Sequence, residues 1–143
     1  NFFSKNNNNK SDEHMFYIKT AALLIYAAKI DENYSNLEKE IIKKALIDLG
    51  VDEKRVDDVF EKAEIEEANS NQILEFTKKV KDSEESFKIK IIETLWNIIY
   101  SDGNSDMYES NFMRRITGLL YLDNKIVGDV KQKVRKKYNK WHI

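Results

Sequence analysis

Ser35-Asn36-Leu37-Glu38-Lys39-Glu40-Ile41-Ile42-Lys43-Lys44-Ala45-Leu46-Ile47-Asp48-Leu49-Gly50 is the stretch that decides the fold. Leu37, Ile41, Ile42, Ala45, Leu46 and Leu49 recur at helical spacing and make one apolar stripe. Ser35 and Glu38 spell a capping box at its start, and Gly50 stops it. Such a helix must lay its stripe on other elements.

Six more stretches read the same way. Helices are expected over about 12–30, 52–66, 71–81, 83–101, 106–121 and 123–140, besides 35–49. The first and fifth are apolar on most sides and belong in the middle of a bundle. The absence of proline and the use of only four glycines fit an all-α chain. Residues 1–11, with the run Asn6 to Asn9, read as a disordered segment ahead of one folded domain over 12–143.

The last three helices repeat the first three. A shift of 71 positions puts Ile18 on Ile89, Leu24 on Leu95, Asp31 on Asp102, Glu38 on Glu109, Leu49 on Leu120 and Asp52 on Asp123, with no gap. The repeat spans 18–64 and 89–135. The expected architecture is a seven-helix bundle of two pseudo-symmetric three-helix halves joined by a short helix, the two connecting loops lying either side by side or apart.

Those loops carry the strongest chemical signal. They read Asp31-Glu32-Asn33-Tyr34-Ser35-Asn36-Leu37-Glu38 and Asp102-Gly103-Asn104-Ser105-Asp106-Met107-Tyr108-Glu109. Alternating oxygen side chains are how a short loop surrounds a hard divalent cation such as calcium or magnesium. The candidate ligands are Asp31, Asn33, Glu38, Asp102, Asn104, Asp106 and Glu109. The pattern is not an EF-hand, because Asn36 and Met107 stand where glycine is required, and Ile42 and Met113 where the bidentate glutamate is. A second reading fits the same residues: capping boxes and turn formers that stabilise by ~1 kcal/mol per cap and hold no metal. It accounts for Glu38 and Glu109 but not for Asp31 and Asp102, and a capping glutamate still has a second oxygen to turn outward.

Ala27-Ala28-Lys29-Ile30-Asp31…Glu38 and Tyr100-Ser101-Asp102-Gly103…Glu109 together resemble the tellurite-resistance TerB family, over about Phe16 to Tyr138. A similar domain precedes the J-domain of some membrane-bound co-chaperones. Glu32 stands where the family usually has glycine, and Ile30 and Ser101 replace its small alanine. The resemblance implies a seven-helix bundle, a cytoplasmic location and a scaffold role in stress or metal resistance. It also implies work beside an integral membrane protein and calcium-binding proteins, with the family's acidic positions at Asp31, Glu38, Asp102 and Glu109.

Charge is unevenly spread although the net is −1. Residues 52–67 hold eight acids against three bases, and residues 121–143 hold seven bases against two acids. The alternative to a cation module is therefore a protein- or membrane-surface interaction domain using this acidic helix and the basic tail, with Lys133, Arg135, Lys136, Lys137 and Trp141 as contacts. Balanced charge and the lack of a recognition-helix motif argue against nucleic acid. Without cysteine there is no thiolate metal site or cysteine nucleophile. His14 and His142 read as surface residues remote from the loops, and no glycine-rich phosphate cradle is present, so no enzyme is expected. No signal peptide is visible, and the longest apolar run, Ala21 to Ala28, is far short of the ~20 residues of a membrane span. A cytoplasmic protein follows, with contact at the inner membrane face as the alternative's extension.

Overall fold

A helix that is apolar on most sides has to be enclosed, and the first helix is such a helix. Leu23, Leu24 and Ile25 are successive residues, each with no exposed surface. At about 100° per residue they point to three different sides. In the computed structural model the described residues are 10–30, 34–70, 72–101 and 107–139, with side chains described over 12–30, 34–70, 72–101 and 111–138. They form seven α-helices and no strand: α1 Lys10–Lys29, α2 Asn36–Leu49, α3 Val56–Ala68, α4 Leu74–Val80, α5 Glu85–Ser101, α6 Met107–Leu119 and α7 Asn124–Asn139. Helix α1 is wrapped by α2, α3, α4 and α5, while α5 packs on α7 and α2, and α4 reaches α6. None of the seven is long and apolar enough to cross a membrane.

Several boundaries differ from the expected ones by a few residues, and at the starts of α3 and α4 a local hydrogen bond gives the reason. Helix α1 starts at Lys10, so Lys10 and Ser11 are helical rather than part of a disordered leader; residues 1–9 lie outside the described residues. Helix α3 starts at Val56 rather than Asp52. The Asp52 carboxylate accepts from Lys54 N at 2.9 Å and its carbonyl accepts from Arg55 N at 2.8 Å, so residues 52–55 form a side-chain-closed turn. Helix α4 starts at Leu74 rather than Asn71, because Ser70 Oγ accepts from Gln72 N at 3.3 Å and holds the chain in a turn.

The ends of α2 and α6 are built alike. Gly50 N donates to Ile47 O at 3.1 Å and Val51 N to Leu46 O at 2.9 Å, the paired bonds of a Schellman close. Tyr121 N to Gly118 O at 3.2 Å and Leu122 N to Thr117 O at 3.0 Å repeat them 71 positions later. A buried side chain from the preceding helix then donates to the last carbonyl of each. Tyr17 Oη meets Leu49 O at 3.0 Å, and Lys88 Nζ meets Leu120 O at 2.9 Å. Lys88 is only 9% exposed, and the negative end of α6 receives its charge. The close needs one residue at positive φ: Gly50 has φ 125°, while Tyr121 has φ 56° and is the only such non-glycine among the described residues.

The two positions should respond oppositely to substitution. A Cβ at Gly50 would lie 2.6 Å from Tyr17 Oη, so Gly50→Ala combines backbone strain with loss of that hydrogen bond. It should destabilise by about 2 kcal/mol, whereas Tyr121→Gly relieves strain at an exposed side chain and should stabilise by about 1 kcal/mol. Urea unfolding of the two variants checks this; changes of the same sign would contradict it.

Candidate functional site

Aromatic contacts fix where the two acidic loops leave the bundle. Phe16 packs on Phe87 with ring centroids 4.9 Å apart, so the start of α1 faces the start of α5. Tyr26 stacks on Phe112 at 6.1 Å, which puts the opening turns of α6 against the last turns of α1. The first loop departs from the end of α1 and the second runs into the start of α6. Their anchors therefore sit at the same end of the bundle.

Of the expected metal ligands, Glu38 is described. It is 1% exposed. Its Oε1 accepts from Ser35 N at 2.9 Å while Ser35 Oγ accepts from Glu38 N at 3.2 Å, the complete capping box. The expectation of an outward-turned carboxylate is thus corrected: this glutamate is enclosed beneath the start of α2. Asp31, Asn33, Asp102, Asn104 and Asp106 lie outside the described residues, as does the side chain of Glu109 in the first turn of α6. Among the described residues no three histidine, aspartate or glutamate side chains come together as a metal-binding group.

What the structure adds at the first loop is a surround that the loop motif did not include. Tyr34 Oη donates to Glu64 Oε2 at 2.9 Å, and Lys29 and Lys39 lie over its ring at 5.5 and 4.9 Å. Burial, the hydrogen bond to Glu64, and the nearby charges of Glu64, Glu67 and Glu38 together push the phenol well above its ordinary range. Lys29 pairs with Glu67 at 2.7 Å and Lys39 with Glu64 at 3.8 Å. Glu64 of α3 thus holds Tyr34, and Lys29 and Lys39 lie over its ring. Position-by-position comparison of the two loops hides this, because Glu64 and Glu67 belong to another helix.

The acidic helix is largely neutralised from within. Glu66 pairs with Lys19 at 2.8 Å, Asp57 with Lys43 at 3.3 Å and Asp58 with Lys62 at 3.3 Å, besides Glu64 and Glu67. Much of the charge read as a partner surface holds α3 to α1 and α2. The basic helix is freer. Lys133, Arg135, Lys136 and Lys137 are exposed on α7, although Lys133 reaches Glu93 at 3.4 Å; Trp141 lies outside the described residues. Tyr138 ties α7 to α5 by donating to Asn97 O at 3.2 Å.

His14 is set among cations. Its Nδ1 is 3.1 Å from Arg55 Nη2 and its Nε2 is 3.5 Å from Lys62 Nζ, beside a pocket of about 410 Å³ that Tyr17, Gly50 and Asp52 also line. The two cations facing its ring favour the neutral imidazole.

The sequence pattern of the family described as "Tellurite resistance protein TerB" matches residues 17–132, a span that runs from α1 into α7. No curated protein and no solved structure matches the chain.

Burial first, then the charges of Lys62 and Arg55, lower the pKa of His14 below its ordinary value of 6.5, against an opposing pull from Asp58. The folded state favours the neutral ring, so its contribution to stability is present above the unfolded pKa and is lost as pH falls through the folded one. An NMR titration should place His14 below 6.5, and Lys62→Met should move it upward. Titration at or above 6.5 in the parent protein would contradict the geometry.

Proposed function

The chain belongs to the TerB tellurite-resistance family, and on that footing we propose that it is a non-catalytic binding and scaffold module whose two acidic loops act together on a divalent cation or a cationic partner. The observation that carries the reading is the stacking of Tyr26 on Phe112, which brings the anchors of both loops to one end of the bundle. Two loops with the same spacing of oxygen side chains then offer a combined ligand set rather than two weak ones. Glu38 is engaged in its cap, so the set rests on Asp31, Asn33, Asp102, Asn104, Asp106 and Glu109. Calcium or magnesium suits all-oxygen donors of this kind. The shared spacing of the loops is taken as one duplicated unit, used twice on the same ligand. The context is stress or metal resistance, with an integral membrane protein and calcium-binding proteins as partners.

The test is a thermal melt of EDTA-stripped protein, alone and with calcium, magnesium, manganese or zinc in turn. One ion should raise the midpoint saturably, since a ligand that binds only the folded state stabilises it by about 2.7 kcal/mol at a hundredfold excess over Kd. Asp31→Asn with Asp102→Asn should abolish the rise and leave the helical circular dichroism intact. No shift with any ion would return these residues to turn and cap roles.

A second reading is favoured by the exposure of Arg135, Lys136 and Lys137 on one helix while the acids of α3 are engaged internally. In it the basic face of α7 meets an anionic partner or the inner face of a membrane, where each base contributes roughly 1 kcal/mol. Co-sedimentation with anionic vesicles should then fall with salt and with charge reversal at these three positions. Indifference to both would remove the membrane version.

A further inference from the structure

A groove of about 430 Å³ runs between α4 and the end of α6, whereas the second acidic loop enters at the start of α6. Its walls are Leu74, Thr77, Gly118, Leu119 and Tyr121, and its rim carries Glu75, Lys78 and Lys81. Among the described residues the large apolar side chains left exposed are Leu37, Ile65, Leu74 and Tyr121. Two of these four, Leu74 at 50% and Tyr121 at 71%, line this one groove.

Two residues here are set against the stability of their own helix. Tyr121 occupies the left-handed close of α6 at φ 56°, a site that glycine fills at the corresponding end of α2. Strain held at an exposed aromatic residue is the kind that persists for a surface role. Gly118 sits in the last turn of α6, and a Cβ there would meet nothing within 4 Å. Packing does not require a glycine at that position, and its missing side chain keeps the groove open.

The rim has a sign. Lys81 lies over the Tyr121 ring at 5.9 Å and Lys78 stands one turn before it on α4. The single acid, Glu75, accepts from Ser70 Oγ at 3.0 Å. A concave apolar channel with lysines along one edge suits a narrow segment better than a flat surface. We propose that this groove is a docking site for an acidic amphipathic helix of a partner protein. Its apolar side chains lie on Leu74, Leu119 and Tyr121, and its carboxylates meet Lys78 and Lys81. The proposal is independent of cation binding at the loops.

The probe is a pair of short fluorescent helical peptides with the same leucine and phenylalanine face, one flanked by glutamates and the other by lysines. Binding to the whole chain is followed by anisotropy at low and high salt. The glutamate peptide should bind saturably, about tenfold or more tighter than its lysine twin, and weaken with salt. Gly118→Leu fills the groove and Tyr121→Gly removes its aromatic wall, and each should lower affinity about tenfold. Tyr121→Gly should at the same time raise the melting temperature by about 3 °C, which separates a lost contact from a lost fold. Equal affinity for the two peptides, no saturation, or unchanged affinity in both variants would overturn the proposal. So would self-association that Gly118→Leu abolishes, which gives the groove to a second copy of the chain. Binding to phosphatidylserine vesicles that depends on Lys78 and Lys81, without peptide binding, would give it to a membrane and overturn the proposal as well.

Discussion

The enclosure of α1 is the constraint on which the structure depends. Its small residues, Ala21, Ala22 and Ala28, let neighbouring backbones approach, and Leu23, Leu24 and Ile25 fill the space in different directions. Burying all sides of one helix needs several others around it, and the chain supplies α2, α3, α4 and α5. The ion pairs follow from this packing. Lys19 and Lys29 lie on the α1 side that meets α3, so Glu66 and Glu67 find partners there and part of the acidic run is absorbed into the fold. Partly exposed pairs of this kind contribute little each. Their effect is on what α3 can offer a partner, more than on how firmly it is held.

Much of this architecture was legible because helices announce themselves locally. The stripe from Ile42 to Leu49, the Ser35–Glu38 cap and the Gly50 stop stand in the structure as the sequence places them, whereas Leu37 at the head of the stripe is exposed. The start of α3 was not legible in the same way. Asp52 reads equally as a helix opener and as a turn former, and a hydrogen bond to Lys54 N decides for the turn. The candidate site was legible only as spacing. Spacing finds Glu38 but cannot say that it will be enclosed, and it misses Glu64, which reaches Tyr34 from another helix. The groove at Tyr121 had no sequence signal stronger than an aromatic residue where a glycine is expected.

That last substitution is tied to another residue. At the end of α2 the final carbonyl is met by Tyr17, a rigid ring whose hydroxyl would lie 2.6 Å from any Cβ on the turn residue. Glycine is therefore required there twice over, by φ and by the approach of the ring. At the end of α6 the same carbonyl is met by Lys88, whose flexible stem delivers an ammonium without an aromatic ring beside the turn. Only the φ requirement is left, and a tyrosine can satisfy it with some strain. Exchanging Tyr17 for lysine at the matching position thus frees the turn residue to carry a side chain, and the side chain it carries is one that faces solvent. The donor inside the core and the aromatic residue on the surface are in this sense one structural choice, made at the end of α6 and not at the end of α2.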